Sequence, residues 1–196
     1  MKNFQLQHWI LPICIVVIAI FNTGFQNTTE TWLRYDRVNI LEGELWRIFS
    51  AHMMHLTWNH LFMNLAGLLF IFFFFGNLLT QKQWLGIMIF SAIFISLILL
   101  WTQPELRWYV GLSGVLHGLF IAGGIADIKV RPKEAFLFLA FIIGKLAYEQ
   151  LMGPLPGSEE SAGGPVLVDA HFYGAIAGLI FMLILNGKKF AQNKPG

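Results

Sequence analysis

The chain has 196 residues, of which 56% are hydrophobic and only 12% are charged, and its formal net charge is +2. Soluble domains average roughly 25% charged residues, so the composition excludes an ordinary soluble protein, and the small net charge does not point to nucleic acid as a partner. The single cysteine, Cys14, excludes an internal disulfide. Apolar runs of roughly 20 residues recur, as in multi-pass membrane proteins.

Six apolar segments are predicted to cross the membrane as helices, so we expect an all-α membrane protein. We expect a single transmembrane domain over residues 1–196, flanked by tails at 1–8 and 187–196, with no fixed structure from residue 188 onward. Between the first two spans, a long segment mixes apolar and charged residues and suits the membrane interface. In chain order the predicted spans are 9–21, 53–75, 84–101, 113–126, 135–152 and 170–185.

Positive charge is concentrated on one side of these spans, and cytoplasmic loops are the ones that carry excess lysine and arginine. Both termini are therefore predicted to be cytoplasmic, which requires an even number of spans. Most acidic residues fall on the opposite, outer side, Glu149 and Asp169 among them. The cytoplasmic set is Lys2, Lys82, Lys129, Arg131, Lys133, Lys188, Lys189 and Lys194, and the outer set is Arg34, Arg37, Arg47 and Arg107.

The fourth span is too short to cross the whole bilayer. From Ser113 to Asp127 a helix rises roughly 21 Å, whereas the hydrocarbon core is about 30 Å thick. If Asp127 marks the inner face, Ser113 lies below the outer surface. Irregular backbone at that depth must be buried in protein or face a water-filled cavity, so we expect residues 101–112 to dip into the protein.

Four polar residues are predicted to share one layer inside the membrane. His60 and Asn64 are four residues apart and therefore share one helix face. Counted from the cytoplasmic ends of their spans, His171, His60 and Asn64 lie roughly 22, 24 and 18 Å deep, and Ser113 lies at a similar depth. Ionisable residues inside a membrane protein are functional candidates by default, although His60 and Asn64 could equally form ordinary hydrogen bonds between helices.

Glycines on two spans predict which helices meet at this layer. Gly114 and Gly118 form a small-xxx-small step on the fourth span, and Gly174 and Gly178 form another on the sixth. Such faces let two helices approach closely. If they pack together, Ser113 and His171 come together with them.

A serine and a histidine in contact permit nucleophilic catalysis by a dyad. His171 would take the Ser113 proton and later give it to the leaving amine, while the Ser113 N–H and side chains of the same layer could hold the oxyanion. The alternative is that Ser113 only caps its helix. We expect no carboxylate at this depth, and we do not expect Asp169, two residues before His171 and on another helix face, to orient it.

Four short motifs run through most of the chain in order, each on the expected segment. Each is weak alone, but together they closely resemble the rhomboid family of intramembrane serine proteases, in its compact six-helix bacterial form. The motifs are Trp46-Arg47, His55…His60-x-x-x-Asn64, Gly111-Leu112-Ser113-Gly114 and Ala170-His171-x-x-Gly174-x-x-x-Gly178.

The resemblance implies a six-helix rhomboid bundle in which Ser113 is the nucleophile and His171 the general base. His60, Asn64 and the Ser113 N–H would form the oxyanion hole, with glycines packing the site at Gly111, Gly114, Gly118, Gly174 and Gly178. The implied substrate is a transmembrane segment of another membrane protein, cut near its outer end. The implied location is a bacterial inner membrane, in contact with lipid, with neither metal nor cofactor, and residues 135–169 would gate substrate access.

Two positions depart from the family pattern. His117 stands where relatives often carry a tyrosine stacked on the catalytic histidine, so a protonatable ring takes that place. Near the inner end of the second span, where many relatives carry a glutamate, this chain has no acid. The first change bears on pH dependence and the second on one stabilising contact.

Three other functions remain to be weighed. A catalytically silent relative could use the same fold to bind transmembrane segments, which the presence of both Ser113 and His171 argues against. A transporter or metal channel could use His52, His55, His60 and His171, but no acid or thiol joins them and no zinc-protease signature is present. A soluble-type esterase is excluded because Val115 breaks the Gly-x-Ser-x-Gly motif.

Overall fold

A computed structural model describes the backbone of residues 9–192 and the side chains of residues 9–187. The predicted tail at 1–8, and the side chains of Lys2, Lys188, Lys189 and Lys194, lie outside this range. Within it the chain forms ten α-helices, a short 3-10 helix at Ala51–Met53 and two short strands. The helices are α1 (Ile10–Gly24), α2 (Gln26–Leu33), α3 (Arg37–Leu41), α4 (Arg47–Ser50), α5 (Trp58–Phe75), α6 (Gln81–Thr102), α7 (Ser113–Asp127), α8 (Pro132–Met152), α9 (Ser158–Ala162) and α10 (Val168–Gln192).

Four helices are long and apolar enough to cross a membrane, namely α5, α6, α8 and α10. A fifth crossing results if α1 and α2, which meet at a bend of 109°, are counted as one broken span. The remaining predicted span, α7, is apolar but has only 15 residues, as expected for a helix that starts inside the bilayer. The fold is therefore an all-α membrane bundle, and the six crossings remain a prediction.

Local sequence signals fix where the long helices begin. Thr80 starts α6 with a capping box, in which its hydroxyl accepts from the Gln83 N–H and the Gln83 side chain accepts from the Thr80 N–H. Thr57 caps α5 by accepting from the His60 N–H at 3.1 Å. The start of the second span predicted at residue 53 is therefore too early.

The first and last helices are both longer than the spans predicted for them. The first helix continues to Gly24, three residues past the predicted end, before the chain bends into α2. The last helix continues to Gln192, so the tail is helical over 188–192 rather than without structure, and residues 193–196 lie outside the described part of the chain.

The short helix α7 is the centre of the molecule. Its four neighbours are α5, α6, α8 and α10, and most of its residues are buried, whereas the long spans turn many large apolar side chains outward. A helix that is apolar on all sides belongs in the interior. The other helices thus shield α7, and its first residue, Ser113, from lipid.

A two-stranded ribbon holds the segment before α7 inside the protein. Strand β1 (Tyr35–Asp36) pairs antiparallel with β2 (Trp108–Tyr109). Beyond it, the Gly111 N–H donates to the Ala51 carbonyl at 3.1 Å, and Leu112 is fully buried. Gly111 has φ +135°, which only glycine adopts readily. The dip predicted for residues 101–112 is present from Tyr109 onward, and it delivers the start of α7 to the middle of the bundle.

Candidate active site

Ser113 is the first residue of α7, and its side chain does not cap the helix. The capping position is Leu112, with no side-chain hydrogen bond to the helix N-terminus. The Ser113 hydroxyl instead points across to α10, where Oγ lies 2.8 Å from Nε2 of His171. Its N–H remains at the helix start, where backbone donors have no intrahelical partner. The Ser113 hydroxyl is thus paired with His171 rather than used as a helix cap.

The two glycine faces bring α7 and α10 into backbone contact. A Cβ added at Gly174 would run into the Gly114 carbonyl, and one added at Gly178 would run into the Gly118 carbonyl. On the other side, a Cβ at Gly114 would lie 2.9 Å from the Ala170 carbonyl. Because Ser113 precedes Gly114 and His171 follows Ala170, this close approach sets the spacing of the serine and the histidine.

His60 and Asn64 face the same cavity from α5. The Leu56 N–H approaches His60 Nδ1 at 3.4 Å, which makes Nδ1 the acceptor and leaves the proton on Nε2. Asn64 donates one amide hydrogen to the His60 carbonyl of its own helix at 3.0 Å. Its second amide hydrogen remains available as a donor. Both side chains can therefore offer an N–H to an anion formed beside Ser113.

A glycine brings the loop close to His60. Atoms Cε1 and Nε2 of His60 would lie 3.3 and 3.4 Å from a Cβ added at Gly111. Any side chain at this position would press on the imidazole, in addition to being strained by the positive φ. Gly111 therefore lets the loop and the ring pack together at the edge of the cavity.

The cavity has a volume of about 340 Å³ and is covered on one side by the segment between α8 and α10. This segment includes α9, and it is fastened to the start of α5 by two hydrogen bonds. The Thr57 hydroxyl donates to the Ala162 carbonyl at 3.2 Å, and the Asn59 amide donates to the Ser161 carbonyl at 2.9 Å. The predicted gate segment thus lies as a cover over Ser113 and His171.

His117 stacks on His171 at the position where the sequence predicted a packing ring. The ring centroids are 4.3 Å apart with an angle of 20° between the planes. His117 Nδ1 lies 2.7 Å from the Ser113 carbonyl. A carbonyl can only accept, so Nδ1 carries the proton and Nε2 is an acceptor. The second ring therefore supports His171 and also binds the backbone of Ser113.

The expectation that no carboxylate reaches this layer is wrong. Glu149 Oε2 lies 3.0 Å from His171 Nδ1, and the glutamate is 2% exposed. Glu149 is three residues before the C-terminal end of α8, and His171 is three residues after the N-terminal start of α10. The same counting of depth that grouped Ser113 with His171 would have included Glu149, had it been applied to the fifth span.

Asp169 does not orient His171. Its carboxylate accepts a hydrogen bond from the Gln103 side chain at the end of α6. Asp169 and His171 are two residues apart in a helix, a spacing that puts them on different faces. The carboxylate near the histidine is thus supplied by α8, and Asp169 joins α10 to α6 instead.

Lys145 adds a cation to the group. Its Nζ lies 2.7 Å from Glu149 Oε2, 2.8 Å from His117 Nε2 and 3.2 Å from His171 Nδ1. Among the described residues, His117, Glu149 and His171 are the set of three whose ligand atoms are close enough to share a metal ion. The ammonium of Lys145 contacts all three, so the chain supplies its own cation between them.

His52 and His55, considered above as metal ligands, lie before α5 and do not join that set. His52 Nε2 lies 3.1 Å from both the Ala92 carbonyl and Ser96 Oγ. Burial lowers the pKa of His52 to about 4 and that of His55 to about 3. Both are therefore neutral near pH 7, and His52 ties the α4–α5 connection to α6.

Comparison with known proteins gives a consistent family match. The family described as the rhomboid domain matches residues 42–188. Among curated proteins, the chain is similar to Rhomboid protease GlpG of Salmonella typhi, with 26% identity over 186 residues, and of Klebsiella pneumoniae, with 28% identity over 186 residues. These alignments cover 92% and 93% of this chain, and the chain spans 64% of the length of either relative.

Proposed function

Because the chain belongs to the rhomboid family, we propose that it is an intramembrane serine endopeptidase that cuts other membrane proteins in or near their transmembrane segments. The observation that carries this proposal is the 2.8 Å contact between Ser113 Oγ and His171 Nε2 beside a covered cavity. The Salmonella and Klebsiella relatives are named as proteases. A plain binder of transmembrane segments has no use for this contact.

In the proposed reaction, Ser113 Oγ attacks the carbonyl carbon of the scissile peptide bond while its proton passes to His171 Nε2. The negative charge that develops on the carbonyl oxygen is held by the Ser113 N–H and by side-chain donors of His60 and Asn64. His171 then gives its proton to the departing amine. A water molecule hydrolyses the ester left on Ser113 by the same steps in reverse.

The substrate must present an extended backbone at the cut. In a regular helix the scissile carbonyl is hydrogen-bonded and wrapped by side chains, so Ser113 cannot reach it. We therefore propose that substrates carry glycine or proline near the cut, where unwinding costs least, or small residues, which leave the backbone open to Ser113. Access from the outer side, under the cover formed by residues 153–167, places the cut near the outer end of the substrate segment.

The proposal is tested with purified protein and a labelled transmembrane substrate in liposomes. Ser113→Ala should abolish cleavage and leave substrate binding intact. The control is Ser161→Ala, which should retain cleavage. It alters a serine of the cover whose hydroxyl makes no hydrogen bond among the described contacts. Persistent cleavage by Ser113→Ala would refute the proposal. Binding without cleavage by the unaltered protein would favour the silent binder.

A further inference from the structure

A buried carboxylate contacts the imidazole nitrogen that faces away from the serine. Glu149 Oε2 lies 3.0 Å from His171 Nδ1, and His171 Nε2 lies 2.8 Å from Ser113 Oγ. Both residues are buried, Glu149 at 2% and His171 at 5% exposure. Serine, histidine and carboxylate thus follow one another, each supplied by a different helix: α7, α10 and α8.

The contacts leave one consistent placement of protons. To accept the Ser113 proton, His171 must have a free lone pair on Nε2 and therefore a hydrogen on Nδ1. An ionised carboxylate can only accept a hydrogen bond, so Glu149 accepts from the Nδ1–H of His171 and keeps the proton on that nitrogen. The lysine beside it donates one hydrogen to Glu149 and another to His117 Nε2, whose own Nδ1–H is used on the Ser113 carbonyl.

Lys145 gives the carboxylate a second role. Its ammonium lies 3.2 Å from His171 Nδ1, close enough to donate to that nitrogen. If it did so, the His171 proton would move to Nε2 and face Ser113, and the ring could no longer act as a base. Glu149 prevents this because it accepts from both Lys145 and His171, at 2.7 and 3.0 Å.

We propose that Glu149 is a positioning residue that fixes the tautomer of His171 and stabilises the imidazolium formed during attack, so that this chain works with a Ser–His–Glu arrangement rather than a dyad. The inference rests on the proposed function. The carboxylate does not take the proton; it stays ionised and favours the charged ring. The Nδ1–H of His171 and the ammonium of Lys145 together keep Glu149 ionised in a setting where an isolated charge would be costly.

The experiment measures what Glu149→Gln does when Lys145 is present and when it is absent. The four proteins are the unaltered chain, Glu149→Gln, Lys145→Gln and the double variant, each assayed for kcat and KM on the same transmembrane substrate in liposomes. The double variant leaves no unpaired buried charge, so it is the one expected to fold as well as the parent. Thermal unfolding of each protein checks this.

We expect Glu149→Gln to lower kcat by roughly 10²-fold or more with little change in KM, since the substrate does not touch Glu149. Lys145→Gln should retain kcat within about tenfold, because the carboxylate stays on His171. The double variant should remain at least about tenfold below Lys145→Gln. As a matched control, Glu134→Gln changes an exposed glutamate at the other end of α8 and should leave kcat unaltered.

The proposal is overturned if the double variant matches Lys145→Gln in kcat, because Glu149 would then serve only to neutralise the lysine. It is also overturned if a folded Glu149→Gln protein keeps full kcat. To separate the two possible failures, the cleavage activity of Ser113→Ala is measured in the same assay. If that variant is inactive, only the role of Glu149 has failed, whereas activity in Ser113→Ala means that the proposed function itself has failed.

Discussion

At the level of single residues, the protein keeps several histidines uncharged by burying them. His52 is fully buried and its Nδ1 has no partner among the described residues, and both ring nitrogens of His55 lack one as well. For His55 nothing among the described residues pairs with a protonated ring, and for His52 the cost of burying a charge outweighs its hydrogen bond to the Ala92 carbonyl. Burial accordingly lowers the pKa of His52 to about 4 and of His55 to about 3.

This predicts a loss of stability in mild acid. In the unfolded chain both histidines titrate near pH 6.5, so below that pH the unfolded state binds more protons and the free energy of unfolding falls as the pH falls. Stability is complete above about pH 6.5, and each histidine removes about 2 kcal/mol by pH 5. Thermal unfolding in detergent micelles at pH 5 and pH 8 measures the effect.

The control for this prediction is His52→Asn, which removes one of the two titrating rings. Its midpoint of unfolding should depend less on pH between 5 and 8 than that of the unaltered protein. If the two proteins show the same pH dependence, His52 is not responsible for the acid sensitivity, and the protonated ring must find a partner in the folded state.

At the level of helices, the site depends on how closely α7 and α10 approach. Gly174→Ala places a methyl group against the Gly114 carbonyl, and two backbones cannot move apart without separating Ser113 from His171. We expect this variant to lose at least about 2 kcal/mol of stability and most of its activity. Reversible unfolding in mixed micelles and the cleavage assay measure the two effects.

Gly144→Ala is the matched control, since a Cβ at Gly144 in α8 meets nothing within 4 Å. There the substitution should be neutral or slightly stabilising, because alanine loses less conformational freedom than glycine in a helix. Equal stability of the two variants would mean that the contact between the glycine faces does not hold α7 against α10.

Most of the helices could be predicted from sequence, and the exceptions have physical reasons. Apolar runs located the long spans, and the distance from Ser113 to Asp127 indicated a short fourth helix. The start of α5 was misplaced because Met53 and Met54 are apolar and buried yet precede the helix cap at Thr57. Apolar sequence reports burial, and burial does not require a helix.

The candidate site was only partly predictable for a related reason. Helix spacing and glycine steps brought together Ser113, His171, His60 and Asn64, the residues whose depths were counted. Glu149 was assigned to the outer surface because acidic residues near span ends usually face water. Its inward direction depends on the rotation of α8 against α7 and α10, which one sequence does not reveal.

For the molecule as a whole, the open question is how often the chain crosses the membrane. Four helices are long and apolar enough to cross, while α1 with its bend and the 15-residue α7 depend on their surroundings. We propose six crossings with both termini in the cytoplasm, because lysine and arginine concentrate on that side. We also propose a bacterial inner membrane as the location, since the similar GlpG proteins come from bacteria.

The topology is tested by labelling single cysteines in a Cys14→Ser background with a reagent that does not cross membranes. Glu42→Cys and Glu105→Cys should react only from the outer face, and Lys129→Cys only from the cytoplasmic face. An N-terminal tag should be accessible only from the cytoplasm. If Glu105→Cys and Lys129→Cys react from the same face, α7 does not cross. If the tag and Glu42→Cys react from the same face, α1 does not cross.

The claim on which the whole account depends is that Ser113 is made nucleophilic by His171. The most direct measurement treats the purified protein with an active-site-directed phosphonate reagent and maps the modified residue by mass spectrometry. The account predicts a stoichiometric adduct on Ser113 that is absent in Ser113→Ala and strongly slowed in His171→Ala. A folded protein that forms no adduct, or one whose labelling persists in Ser113→Ala, would contradict it.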